Sequence, residues 1–131
     1  FLTVDFRHPA DETLSIMDRT LKAFCTKVAN ENQVQIDVVD FWYFPPTSFE
    51  EGCVEAVREG AKVAGFGHMD IVSGAGHDAV YIAGVAPTGM IFVPCENGIS
   101  HNEIENASSE DCAAGCQVLL HAILARAEAL D

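Results

Sequence analysis

The residues best suited to chemistry in this chain are two histidines in polar loops. His77 follows the small-residue run Ser73-Gly74-Ala75-Gly76, and His101 follows Gly98-Ile99-Ser100, shortly after the apolar run Met90-Ile91-Phe92-Val93-Pro94. His101 has Glu103 and Glu105 close by. A neutral imidazole is a common zinc ligand, and neighbouring carboxylates can orient it or coordinate beside it. A loop histidine hydrogen-bonded to backbone fits the same spacing, and both readings stay open at this level. The small residues before His77 let backbone approach a ligand closely. A helix starting there would also offer free N–H groups to an anion. A tight turn followed by an ordinary histidine is the simpler account. One helix-length and one strand-length separate the two histidines, so a single α/β unit can bring both loops to one sheet edge.

Other groups carry less. Arg7 ends a strand-like run beside His8; its guanidinium can grip a carboxylate in bidentate fashion, or it can be a solvated surface group. His68-Met69-Asp70 has the spacing of two metal ligands but no third donor nearby, and reads as a structural loop. Cys95 precedes His101 and reads as a packed thiol rather than a nucleophile. His121 falls in the last helical stretch and reads as structural. The sequence contains no Gly-x-Ser-x-Gly, phosphate loop or Cys-x-x-Cys.

The elements that must hold these groups follow from periodicity. Phe1 to Arg7 alternates apolar with polar and predicts a strand. Asp11 is the expected cap of a helix to about Asn30, with Leu14, Met17, Leu21, Phe24 and Val28 inward. Gln33 to Phe44 predicts a second strand, stopped by Pro45-Pro46. Ser48-Phe49-Glu50-Glu51 has the capping-box pattern and opens a helix to about Ala64, with Phe49, Cys53, Val57 and Ala61 inward. A glycine-rich loop follows, then a short helix over His77–Ala86 and a buried strand over Met90–Val93. Cys95 to Ala107 is a long polar loop. Ser108 or Ser109 caps a last helix to about Leu130, with Cys112, Cys116, Leu119, Leu120 and Ile123 inward.

Composition narrows the function classes. The net charge of −13 disfavours nucleic acid, which is held by clustered Lys and Arg. No run approaches a membrane span, and the start lacks a signal-peptide layout. Apolar residues make up 49%, ample for a core. Five cysteines without paired spacing fit a reducing, cytoplasmic setting. Phe1 stands in mid-strand without an initiator Met, the look of a fragment.

Four ordered motifs then point to one family. Thr3-Val4-Asp5-Phe6-Arg7-His8-Pro9, Ser73-Gly74-Ala75-Gly76-His77-Asp78-Ala79, Met90-Ile91-Phe92-Val93-Pro94 and Gly98-Ile99-Ser100-His101-Asn102-Glu103-Ile104-Glu105 together resemble the C-terminal part of the M20-type metal-dependent amidohydrolases. The branch they are most similar to holds the N-carbamoyl-L-amino-acid hydrolases, β-ureidopropionases and allantoate amidohydrolases. The resemblance implies an α/β fold: the C-terminal part of a zinc-peptidase-like α/β domain over residues 46–131, and half of a ferredoxin-like lid and dimerisation domain over residues 1–45. It implies that His101 is a metal ligand, that His77 contacts the substrate and helps polarise its carbonyl with Gly76 alongside, and that Arg7 holds the substrate carboxylate. The implied cofactor is a divalent metal (Zn, Mn, Co or Ni), and the implied partners are a small N-carbamoyl or amide substrate and a second copy of the chain. The family's remaining metal ligands and its general-base Glu match no position here, so the chain alone is expected to be inactive. The reaction the resemblance implies for the complete enzyme is hydrolysis of the carbamoyl C–N bond of an N-carbamoyl-L-amino acid or β-ureidopropionate. An allantoate amidohydrolase, an aminoacylase or peptidase of the superfamily, and a non-catalytic dimerisation or interaction module are the rival expectations.

Overall fold

The computed structural model describes residues 1–128, which form two compact units: residues 1–47 with 72–75, and residues 48–71 with 76 onward.

The first unit is built on α1, Asp11–Asn32. Its N-cap is Ala10, with no side-chain cap, so Asp11 is the first helical residue rather than the cap. Asp11 and Glu12 still place negative charge at the positive end of the helix dipole. The helix ends at Gln33, which takes the left-handed conformation (φ 54°) while Val34 N–H donates to Ala29 O. The chain then runs back along the helix: Lys22 Nζ bridges Asp18 and Asp40 at 2.8 and 2.6 Å, and the Tyr43 hydroxyl donates to Asp11. Leu14, Met17, Leu21 and Val28 are half-buried, whereas Phe24, expected inward, is 61% exposed.

The second unit centres on two antiparallel helices, α2 (Glu51–Ala64) and α4 (Ser109–Glu128). Gly60 of α2 faces Val118 and His121 of α4, and the buried apolar residues among those described are Ala61, Val118 and Ala122. Small side chains at the crossing bring the backbones close: a Cβ at Gly60 would lie 3.0 Å from Val118 O. Residues 88–93 lie against both helices, through Glu50 N–H to Thr88 O (3.1 Å) and through Val93 against Gly115. α3 is the six-residue helix Asp78–Ala83, shorter than the span expected to Ala86.

Several expectations are overturned here. The α2 cap is Glu50, whose carboxylate accepts from Cys53 N–H at 2.7 Å, not Ser48 in a capping box. Residues 1–7, 33–44 and 90–93 carry the strand pattern, yet no strand occurs among the described residues. A strand exists through ladder hydrogen bonds to a neighbour, and these stretches have none. The described residues are therefore helices and irregular segments, and the strands expected of the α/β sheet and of the ferredoxin-like half-lid are not seen among them. Cys112, Cys116, Leu119, Leu120 and Ile123, expected inward, are exposed. Burial on α4 falls instead on the Val118 and Ala122 stripe, one turn apart. Ser108 does cap α4, accepting from Asp111 N–H at 3.0 Å. The helix was expected to reach Leu130, which lies outside the described residues. No described helix is long and apolar enough to cross a membrane.

Candidate functional site

The 95–107 loop is closed at its base. Glu96 N–H donates to Asn106 O at 2.7 Å, and the Asn106 side-chain amide donates back to the Glu96 carboxylate at 3.0 Å. Within it a 3-10 turn, Glu96–Gly98, delivers the chain to His101. His101 sits in the left-handed region (φ 56°), unusual for a residue with a Cβ. Glu105 holds it there: its Oε2 accepts from His101 N–H at 2.5 Å. Asn102 Oδ1 accepts from Ile104 N–H at 3.2 Å, which tightens the same turn. The Cys95 thiol lies 3.9 Å from the other Glu105 oxygen. His101, Asn102, Glu103 and Glu105 together border an open polar concavity of about 650 Å³.

His77 is the N-cap of α3, in extended conformation and without a side-chain cap bond. Its ring meets Phe92 edge to face, with centroids 5.5 Å apart, a geometry the aromatic quadrupole favours. Gly76, just before it, has open space where a Cβ would stand.

Arg7 belongs to the other unit. Its Nε and Nη2 donate to Asp5 Oδ2 at 2.9 and 2.6 Å, and its Nη1 donates to Gly74 O at 2.6 Å. The hydrogen bond and charge of Asp5 raise the Arg7 pKa. Asp70 of the His68-Met69-Asp70 stretch is engaged by Arg58 at 2.6 and 3.1 Å, which keeps its carboxyl below the usual carboxylate range.

Sequence reasoning missed Asp5 as the partner of Arg7; it placed Glu105 beside His101 as a carboxylate that could orient the ring, whereas Glu105 takes the backbone N–H instead. The signal for Asp5 was its place two residues before Arg7. All five cysteines are unpaired. Cys53, Cys112 and Cys116 border an apolar groove of about 570 Å³ with Ile91, Leu119 and Ile123, and burial pushes the Cys53 thiol up.

The family model for "Peptidase family M20/M25/M40" matches residues 6–125, and the chain belongs to that family. Within it the likeness is to the carbamoylase branch. The chain is 43% identical over 129 residues to the N-carbamoyl-L-amino-acid amidohydrolase of Rhizobium meliloti, covering 98% of this chain and 31% of that protein. The crystal structure of an amidase of the hydantoinase/carbamoylase family from Burkholderia multivorans superposes with a TM-score of 0.87 at 50% identity, over 91% of this chain and 29% of that one. The ureidoglycolate hydrolase of Oryza sativa subsp. japonica is 39% identical over 75 residues, 57% of this chain and 16% of that protein. The chain thus spans less than a third of the length of these relatives.

The donor set does not make a metal centre. Among the described residues no group of three or more His, Cys, Asp or Glu side chains could hold an ion. Beside His101 the Glu105 carboxylate accepts from the His101 N–H and lies 3.9 Å from the Cys95 thiol. A hydrolytic zinc needs about three protein ligands with a position left open.

Proposed function

We propose that this chain is the C-terminal part of a metal-dependent amidohydrolase that cleaves the carbamoyl C–N bond of an N-carbamoyl-L-amino acid. The observation that carries the reading is the 43% identity, across nearly the whole chain, to an N-carbamoyl-L-amino-acid amidohydrolase. Residues 46–131 belong to the catalytic domain in this reading, and residues 1–45 to the lid. Arg7 holds the substrate carboxylate, since a guanidinium matches a carboxylate in charge and geometry. His77, its ring set against Phe92, donates toward the substrate carbonyl, with Gly76 giving the backbone room to approach. His101 supplies one ligand to a divalent metal whose other donors come from elsewhere in the complete protein. This chain by itself binds and orients, and does not turn substrate over. Its exposed apolar face around Phe41 and Trp42 pairs with a second copy.

The test is hydrolysis by the complete protein, loaded with Zn, Mn, Co or Ni, of a panel of N-carbamoyl amino acids. Carbamoyl-group release that a chelator abolishes is expected. Metal-independent protein without amidase activity would sink the reading. The ureidoglycolate hydrolase likeness supports a second reading, an enzyme of ureido acids of the ureidoglycolate or allantoate type. Those compounds belong in the same panel, and the higher kcat/KM decides.

A further inference from the structure

We propose that Asp5 is a positioning residue for Arg7, presetting the guanidinium for a carboxylate; this rests on the reading of Arg7 as the carboxylate-holding residue. An arginine with a largely exposed side chain, 62% here, is mobile, and gripping a ligand freezes several torsions at a cost in affinity. Arg7 is instead held from two sides. Asp5 Oδ2 accepts from both Nε and Nη2, which defines the plane of the guanidinium. Gly74 O accepts from Nη1 and ties that plane to the glycine run that leads to His77. A guanidinium has five N–H donors. One each on Nε, Nη1 and Nη2 is spent in these bonds, so two remain, one on Nη1 and one on Nη2, for an incoming carboxylate. Asp5 is tethered two residues away, so it stays in place when substrate arrives and substrate must use the remaining pair.

The experiment uses the complete protein with Asp5→Ala, Asp5→Asn and Arg7→Ala, measuring kcat and KM for an N-carbamoyl amino acid and for its uncharged carboxamide. Asp5→Ala is expected to raise KM for the carboxylate substrate about two- to fivefold, leaving its kcat and the carboxamide KM unchanged. Asp5→Asn keeps an acceptor oxygen and is expected to restore KM. An unchanged KM in Asp5→Ala overturns the proposal. So does a lowered one, which would make Asp5 a competitor of the substrate carboxylate. A KM shift shared by the carboxamide also overturns it, since that marks a merely structural effect. Arg7→Ala separates the two levels: if it leaves the carboxylate KM unchanged, the role assigned to Arg7 itself falls. If Arg7→Ala raises KM and Asp5→Ala does not, only the role of Asp5 falls.

Discussion

His101 and Glu105 are bound by a contact that bypasses the imidazole: the backbone N–H of one donates to the carboxylate of the other, and the histidine keeps a left-handed backbone. Removing the acceptor should therefore loosen the loop without touching the ring. Glu105→Ala is expected to speed hydrogen exchange at the His101 amide, while Glu105→Gln, which retains a carbonyl oxygen, preserves most of the protection. Equal exchange in the alanine variant and the parent would show that Glu105 does not hold this turn.

The α2–α4 crossing has no room for larger side chains. Gly60→Val would put its Cβ 3.0 Å from Val118 O and 3.1 Å from His121 Cβ, and overpacking of this kind costs about 1–3 kcal/mol. The melting temperature should fall clearly. Gly67→Val, where an added Cβ meets nothing within 4 Å, serves as the control. Matching melting curves for the two variants would contradict the close approach.

Acid should weaken the start of α2. The backbone N–H groups of Cys53 and Gly52 hold the Glu50 carboxyl below its ordinary value of 4.5. A depressed carboxyl contributes stability that is present above the unfolded value and lost as pH falls through the folded one. Helix content followed by circular dichroism should therefore drop in acid, below pH 4.5. Glu50→Gln should already lack this increment at neutral pH and lose less on acidification. Superimposable acid transitions in the two proteins would argue against the cap.

Self-association should run through the aromatic segment. Phe41, Trp42 and Val39 are 76%, 72% and 75% exposed, and contiguous apolar surface of this kind seeks a partner. Trp42→Lys is expected to shift sedimentation toward a smaller species at high concentration. A parent protein that is monomeric throughout the same range would refute the homo-oligomer reading.

The helices were legible because an amphipathic period survives whatever surrounds it: Leu14 to Val28 and Cys53 to Ala61 each marked a stripe on one helix. The strands were not, because the period-two pattern of Val34, Ile36 and Val38 says which side chains share a face and nothing about what pairs with the backbone. Capping misled for a similar reason. Ser48 and Glu50 are both competent acceptors, and only the actual first turn, starting at Glu51, decides between them. On α4 the long apolar side chains carry the helical period, but the buried residues are Val118 and Ala122, with Val118 against Gly60 of α2. Of the site, residue types near His77, His101 and Arg7 could be read from spacing. The left-handed backbone at His101 and the Gly74 carbonyl on Arg7 could not, since both depend on where loops meet.

The close approach at Gly60 also bears on how such a chain can change over generations. Positions whose neighbours are backbone atoms can exchange one tiny residue for another but have no route to a larger one, because the opposing helix cannot retreat by a single substitution. Exposed positions on the same helices, such as Val63 and Leu120, carry no such restriction. Drift should accordingly leave residue 60 small in any lineage that keeps α2 and α4 together, while the faces beside it diverge.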